Sequence, residues 1–364
     1  MKRILIICLA GLSLALVALS KGAPAPEVKP EDKKEELFKT SLHHTGRGMA
    51  FWYDKANQGL EILSDIPYAK LACKKCHAQS CEACHKVSPK EKSPEKRLGP
   101  TSPDLCFKCH DQLAEVLKQN QGTAFEDVHF ALGMQCLDCH SLGEMHGNGK
   151  SYSSLRQEGA LETRCENCHE TPSQSTSHRK HQGKVDCLAC HTGQMTNLTS
   201  TQFEPLAKDG KRVAKVVSDW IFLMNYNQRM TAAQLQAFVL PGDKSFLMFR
   251  PFHSHTIMKQ GRKCEACHGS AVLGQAKEGQ VILNRSEKGA VQQIKGIIPV
   301  LEKGSYQLMV EKYSNGKWSP VLNPSPPKIQ YAGFGRPLTE NQVGKLAKYK
   351  SESKGKDKKK SKSR

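Results

Sequence analysis

Apolar residues are spread unevenly along the chain. Ile4 to Leu19 is one apolar run broken only by Gly11 and Ser13. It follows the basic head Met1-Lys2-Arg3 and ends at Ala18-Leu19-Ser20, the layout of a secretory signal peptide over residues 1–20. Ala23-Pro24-Ala25 is a weaker second cleavage site, and an uncleaved anchor is the alternative reading. Beyond Leu19 no apolar run approaches the ~18 residues that a membrane span needs. Residues 21–42 are rich in Pro, Lys and Glu and read as a flexible linker. From there to residue 191 the apolar positions are sparse, and Leu113 to Leu117 is the candidate helix. Two longer stretches, Val213 to Met224 and Thr231 to Leu240, read as helices. Thr231 and Gln234 suggest a capping box for the second, and Pro241-Gly242 a stop. After Gly269 the pattern changes. Ile297 to Val300 and Ser305 to Tyr313 read as strands, with Asn315-Gly316 as a two-residue hairpin turn before Lys317-Trp318. Leu338 to Tyr349 reads as a helix with Thr339 and Gln342 as capping box and Leu338 with Val343 as staple. The expected fold class is mainly α with much irregular structure and a small C-terminal β-element.

Composition sharpens this picture. Apolar residues make up 38% of the 364 and aromatics 6%, a thin supply for a core of this size. Something other than side chains is expected to add apolar bulk. The formal charge of +19 first suggests nucleic acid or an acidic membrane surface. The cysteines redirect that reading. Of 15, all but Cys8 fall into seven Cys-x-x-Cys pairs, and His follows every pair. The motifs are Cys73-Cys76-His77, Cys81-Cys84-His85, Cys106-Cys109-His110, Cys136-Cys139-His140, Cys165-Cys168-His169, Cys187-Cys190-His191 and Cys264-Cys267-His268. No cysteine is left for a disulfide in the mature chain, although exported proteins ordinarily use cysteines that way.

This spacing attaches a c-type haem. Two thiols two residues apart reach the two vinyl groups on one porphyrin edge, and the next residue aims its imidazole at the iron. Cys-x-x-Cys alone also suits zinc or disulfide exchange; a His at one fixed offset in all seven cases does not follow from either. Seven covalently attached haems c bring about 14 propionates, which lowers the formal +19 to about +5 and turns much of the basic excess into internal neutralisation. Nucleic acid is therefore not an expected partner. Only Ala78, Gln79 and Ser80 separate the first two motifs, a span of at most ~10 Å, so the first two haems must be close.

The second axial ligand decides between electron transfer and catalysis, because a second protein ligand closes the iron. Eight histidines lie outside the motifs: His43, His44, His129, His146, His178, His181, His253 and His255. They exceed by one the number needed for bis-His ligation of seven irons, and none follows His268. Which of them serves which haem cannot be read from the sequence. His43 and His44 are adjacent and could serve two haems or one. Met134 and Met145 are read as packing residues, and Phe51-Trp52-Tyr53 as a patch for a porphyrin or for a small core.

Over about residues 43 to 270 the chain resembles the exported multihaem c-type cytochromes of bacteria or archaea. It more loosely resembles the octahaem tetrathionate reductases and hydroxylamine oxidoreductases. Those enzymes carry eight haems, and the pentahaem nitrite reductases replace one motif His with Lys, whereas all seven motifs here end in His. The resemblance implies a haem-packed cytochrome core, taken as residues 43–280; the patterns after it give a small β-hairpin plus helix extension over 281–349 and a basic disordered tail over 350–364. It implies an exported location, periplasmic or cell-surface. It also implies electron transfer between a membrane quinol-linked enzyme or other cytochromes and a terminal partner. The alternative is a reductase of a small sulfur or nitrogen oxyanion at one open haem. A third reading is a subunit of a haem filament. The tail, with eight basic residues against two acidic ones, could touch a redox partner or lipid headgroups, or serve only solubility.

Overall fold

In the computed structural model the described residues are 30–72, 77–85, 103–170, 174–287, 290–322 and 324–348. The expected signal segment 1–20, the start of the linker, Cys73 and Cys76 of the first motif, and the basic tail 350–364 lie outside them.

The largest element is a seven-stranded mixed sheet, so the expectation of a mainly helical chain is wrong. Its axis is the long strand Arg229–Leu240. Along one edge this strand pairs antiparallel with Lys244–Pro251, which pairs parallel with Lys328–Tyr331. Along the other edge its first half pairs antiparallel with Trp220–Tyr226 and its second half parallel with Asn197–Gln202. Lys215–Val217 extends the sheet beyond Asn197–Gln202, and Gly296–Pro299 beyond Trp220–Tyr226.

Three of these strands occupy the stretches read above as helices: Lys215–Val217 and Trp220–Tyr226 in Val213 to Met224, and Arg229–Leu240 over Thr231 to Leu240. The error has a physical source. Trp220 to Met224 is a continuous apolar run, and Thr231 to Leu240 is interrupted only by Gln234 and Gln236 after its first residue; both are buried along nearly their whole length, Gln234 included. Such a run has no amphipathic period, and its Trp, Ile, Phe and Tyr favour a strand with both faces covered. Gln234 does not cap a helix: its amide donates to the Thr196 carbonyl, and its oxygen accepts from Arg250 at 2.9 Å. The tight connection between Tyr226 and Arg229 uses Asn227 and Gln228 at φ 46° and 62°, the left-handed pair of a type I′ hairpin.

The C-terminal expectations fare better. The strand Gly296–Pro299 and the hairpin Glu311–Ser314 to Lys317–Pro320 form where the pattern places them, with Asn315 and Gly316 at φ 50° and 77°. Ser305 to Tyr313 is broken into two short strands rather than one. The helix Glu340–Ala347 carries the capping box of Thr339 and Gln342, and Leu338 and Val343 are buried beside it. It packs with the helix Val272–Lys277 on the sheet core around Trp220, Phe222 and Leu235. A second cluster joins Tyr53, Leu60 and Leu71 from the N-terminal helices to Phe203, Phe238 and Phe246.

The motif-bearing stretch before the sheet is built of short turns and helices, of which Asp111–Asn120 contains the expected Leu113 to Leu117. The linker, over its described part, is the helix Pro30–Thr40, with Glu35 paired to Lys39 one turn on. The sheet reaches the motif region through residues 252–258, which leave the strand Lys244–Pro251. There the Ile257 amide donates to the Asp127 carboxylate at 2.8 Å, and the same carboxylate accepts the His129 and Phe130 amides. This cap ties the segment carrying His253 and His255 to the one carrying His129.

Candidate functional site

Each of the six fully described motifs folds locally into one helical turn. In four of them the His amide donates to the carbonyl of the first Cys at 2.8–2.9 Å: His85 to Cys81, His110 to Cys106, His140 to Cys136 and His169 to Cys165. The other two fully described motifs are the helices Cys187–His191 and Cys264–His268. One turn brings both thiols to one side of the backbone and projects the imidazole beside them, the arrangement the attachment chemistry needs.

Twelve histidines stand in six facing pairs. Ring centroids are 6.3 Å apart for His43 and His110, 5.9 Å for His85 and His146, and 6.0 Å for His129 and His169. They are 6.2 Å apart for His140 and His255, 6.1 Å for His178 and His191, and 6.2 Å for His181 and His268. Every pair joins one motif His to one non-motif His. Direct ring stacking would be closer. A metal–nitrogen bond of about 2.0 Å on each side of one ion, added to two ring radii, gives roughly 6 Å. The residues therefore fit an iron held between two imidazoles, with the adjacent thiols placed for the porphyrin edge.

The partners come from distant parts of the chain, as His140 with His255 and His181 with His268 show. The adjacent His43 and His44 point to different places. His43 faces His110, while the Nδ1 of His44 lies 3.1 Å from the Ala78 carbonyl beside His77. His77 in turn presses on Gly46, where φ is 60° and a Cβ would overlap the imidazole, so glycine is required there for both reasons. His253 has no facing ring of this kind among the described residues.

Burial holds some of these rings in the ligating form. Burial, with smaller contributions from neighbouring imidazoles, lowers the pKa of His43, His77, His110 and His146. Burial pushes His255 down to about 4 and His253 to about 3, the latter helped by Arg156, His255 and His140. A neutral imidazole has the lone pair that a metal needs. The opposite ring nitrogens are held by hydrogen bonds. Nδ1 of His191 lies 3.0 Å from the Met258 carbonyl, that of His268 3.0 Å from Leu346, and that of His181 2.8 Å from Ser177. His140 differs, because its Nδ1 lies 2.7 Å from a carboxylate, Glu144, whose side chain is 3% exposed and also accepts the Thr163 amide.

The thiols lie near one another in chain order. Cys106 of the third motif contacts Cys136 of the fourth and lies near Cys84 of the second. Cys139 lies near Cys168, Cys165 contacts Cys187, and Cys190 lies near Cys264 and Cys267. Zinc would need about four ligands converging on one point; among the described residues no group of three or more His, Cys, Asp or Glu does so.

Sequence reasoning missed Glu144, Arg156 and Arg250. Glu144 stands four residues after His140, a helical spacing that could have flagged it. Arg250 stands in the apolar strand sequence Lys244–Pro251, where a charge is out of place. Arg156 carries no such signal.

Residues 78–115, which hold the second and third motifs, match the family described as Doubled CXXCH motif. No curated protein and no solved structure matches the chain. The doubled motif indicates covalently attached haem c, and with it a c-type cytochrome-like, multihaem protein of electron transfer.

Proposed function

We propose that the chain carries electrons along seven covalently attached haems c, each closed by two histidines, between a membrane quinol-linked enzyme or another cytochrome and a terminal redox partner. The observation that supports it best is the set of six pairs, each of one motif His with one non-motif His, at 5.9–6.3 Å. His44 beside His77 supplies the seventh pair in this reading. Each haem, when bound, supplies a one-electron iron couple. The protein's own contribution is to exclude substrate by closing each iron from both sides, to hold the buried imidazoles of His43, His110, His146 and His255 neutral, and to set the order of the sites. The contacts among motif cysteines support a path from the second to the seventh site in chain order. The close spacing of the first two motifs extends it to the first.

Export to the periplasm or cell surface belongs to the same reading. It rests on the N-terminal run and on thiols wholly committed to haem attachment. The N-terminal run also leaves room for membrane association, as does the basic tail. Among the described residues no helix is long and apolar enough to cross a membrane.

The test is iron analysis together with low-temperature electron paramagnetic resonance of the oxidised, haem-loaded protein. Seven irons with low-spin signals alone are expected. A high-spin signal near one iron per molecule that shifts with nitrite, sulfite or hydroxylamine would overturn the electron carrier in favour of an oxyanion reductase. The site of His77 is where such an open iron would be sought first, because its Nε2 lies 3.4 Å from the Tyr68 hydroxyl.

A further inference from the structure

Two arginines sit where the electron path described above does not use them. Arg156 is 7% exposed. Its carbonyl accepts the Tyr226 hydroxyl at 2.7 Å, and its guanidinium stands 5.9 Å from the Tyr226 ring centre. Its Nε and Nη1 have no hydrogen-bond partner. Arg250 lies close enough for the two charges to repel, and both flank Gly333. Arg250 donates from Nη2 to Gln234 at 2.9 Å and stands 5.2 Å from the Phe252 ring centre, while its Nε is unpartnered. Among the described residues no carboxylate is within ion-pair distance of either. Asp186, the acid that Arg156 senses, accepts the Leu188 amide and has its own carboxyl pKa raised by burial.

A guanidinium does not give up its proton at ordinary pH. Two such charges out of water without a counter-charge are costly. An anion beside them would remove that cost and satisfy the unpartnered guanidinium nitrogens. The neighbourhood indicates which anion. His253 lies within reach of the charge of Arg156 and of the imidazoles of His255 and His140, and Arg250 lies beside Arg156, so the arginines stand near the pair that faces across 6.2 Å. A c-type haem is anchored at its vinyl edge by cysteine and carries two carboxylates on the edge opposite. Carboxylates and guanidinium forks match in geometry.

We infer that Arg156 and Arg250 receive the propionate carboxylates of the haem that Cys136, Cys139, His140 and His255 hold. This rests on the haem reading above. The pairing offsets the propionates' negative charge beside one iron. It favours the reduced state there, because reduction removes one positive charge from the iron centre.

The experiment compares the haem-loaded protein with Arg156→Gln and Arg250→Gln, and with Arg156→Lys and Arg250→Lys. It reads the seven midpoints by spectroelectrochemistry and the propionate bands by redox difference infrared spectroscopy. Iron content and low-spin signals are checked first, so that failure of the haem reading is seen separately. A His255→Met variant identifies which redox wave belongs to the His140 site. The expected result is that each Gln variant moves that wave to lower potential and shifts a propionate band, while the other six stay in place. The Lys variants, which retain the charge, restore most of the midpoint. Unchanged midpoints and bands with seven low-spin irons would overturn the inference. So would a midpoint that follows added sulfate or phosphate in the parent protein, because the anion would then be a free one. If a Gln variant does not take up haem, its Lys counterpart with unaltered propionate bands counts against the pairing.

Discussion

The sheet and the motif region solve the problem of a core in opposite ways. In the sheet, Trp220, Phe222, Leu223, Met224, Leu235 and Phe249 are completely buried. Between Ala72 and Leu188, by contrast, none of the described apolar side chains is buried, and Phe130, Leu132, Leu137, Leu142 and Leu155 are exposed. The buried residues of that stretch are polar: Asn120, Asp127, Ser154 and Arg156. The sheet closes on itself by ordinary apolar burial. The motif region has positioned ligands and little to pack them on, so on the proposed function the porphyrins supply the missing apolar surface. The low apolar content of the whole chain is thus an average of two unlike parts.

The comparison can be broken most directly by producing the chain without haem attachment. Hydrogen exchange is then expected to show near-complete loss of protection over residues 103–185, with protection kept in the strands Trp220–Tyr226 and Arg229–Leu240. Equal protection in both regions would mean that the motif region has a core of its own. The reverse perturbation is Phe222→Ala in the haem-loaded protein. It removes a fully buried ring and is expected to cost the sheet about 3–5 kcal/mol, read by denaturant unfolding, with the haem midpoints unchanged. A matching change in every midpoint would show that the two regions do not stand apart.

Smaller effects sharpen the contrast. Glu144→Gln removes the buried carboxylate from Nδ1 of His140. A carboxylate partner makes an imidazole a stronger donor and favours oxidised iron. The variant should therefore raise the midpoint of one haem, by no more than the roughly 1.5–3 kcal/mol of a charge-assisted hydrogen bond. This is opposite in sign to the loss of Arg156 or Arg250 at the same site, and a fall in potential would contradict the geometry. The smallest effect belongs to Thr339→Ala, which removes the cap of the helix Glu340–Ala347. About 1 kcal/mol of sheet stability should be lost in thermal unfolding. The haem at His268, whose Nδ1 lies 3.0 Å from the Leu346 carbonyl of that helix, is the one expected to respond.

Local chemistry was legible in the chain. The motif turns, the Asn315-Gly316 hairpin and the Thr339–Gln342 capping box depend on residues within a few positions of one another, and the structure forms all three as read. The candidate ligands could also be picked out by residue type and count. The helices expected at Val213 to Met224 and Thr231 to Leu240 were misread because a run buried on both faces carries no period. What covers those faces, from Tyr53 and Leu71 to Val343 and Leu346, lies far away in sequence.

The residues themselves determined the cofactor chemistry: two thiols and an imidazole at fixed spacing need only one turn of backbone to be recognised. They also determined that there were enough further histidines to close every iron. Only the tertiary structure decided that His110 faces His43, that His140 faces His255, and that His253 is left beside Arg156. Those pairings join segments up to more than a hundred residues apart through a sheet whose register no local pattern specifies. A facing distance is set by the packing of whole elements, and that packing is absent from any short stretch of sequence.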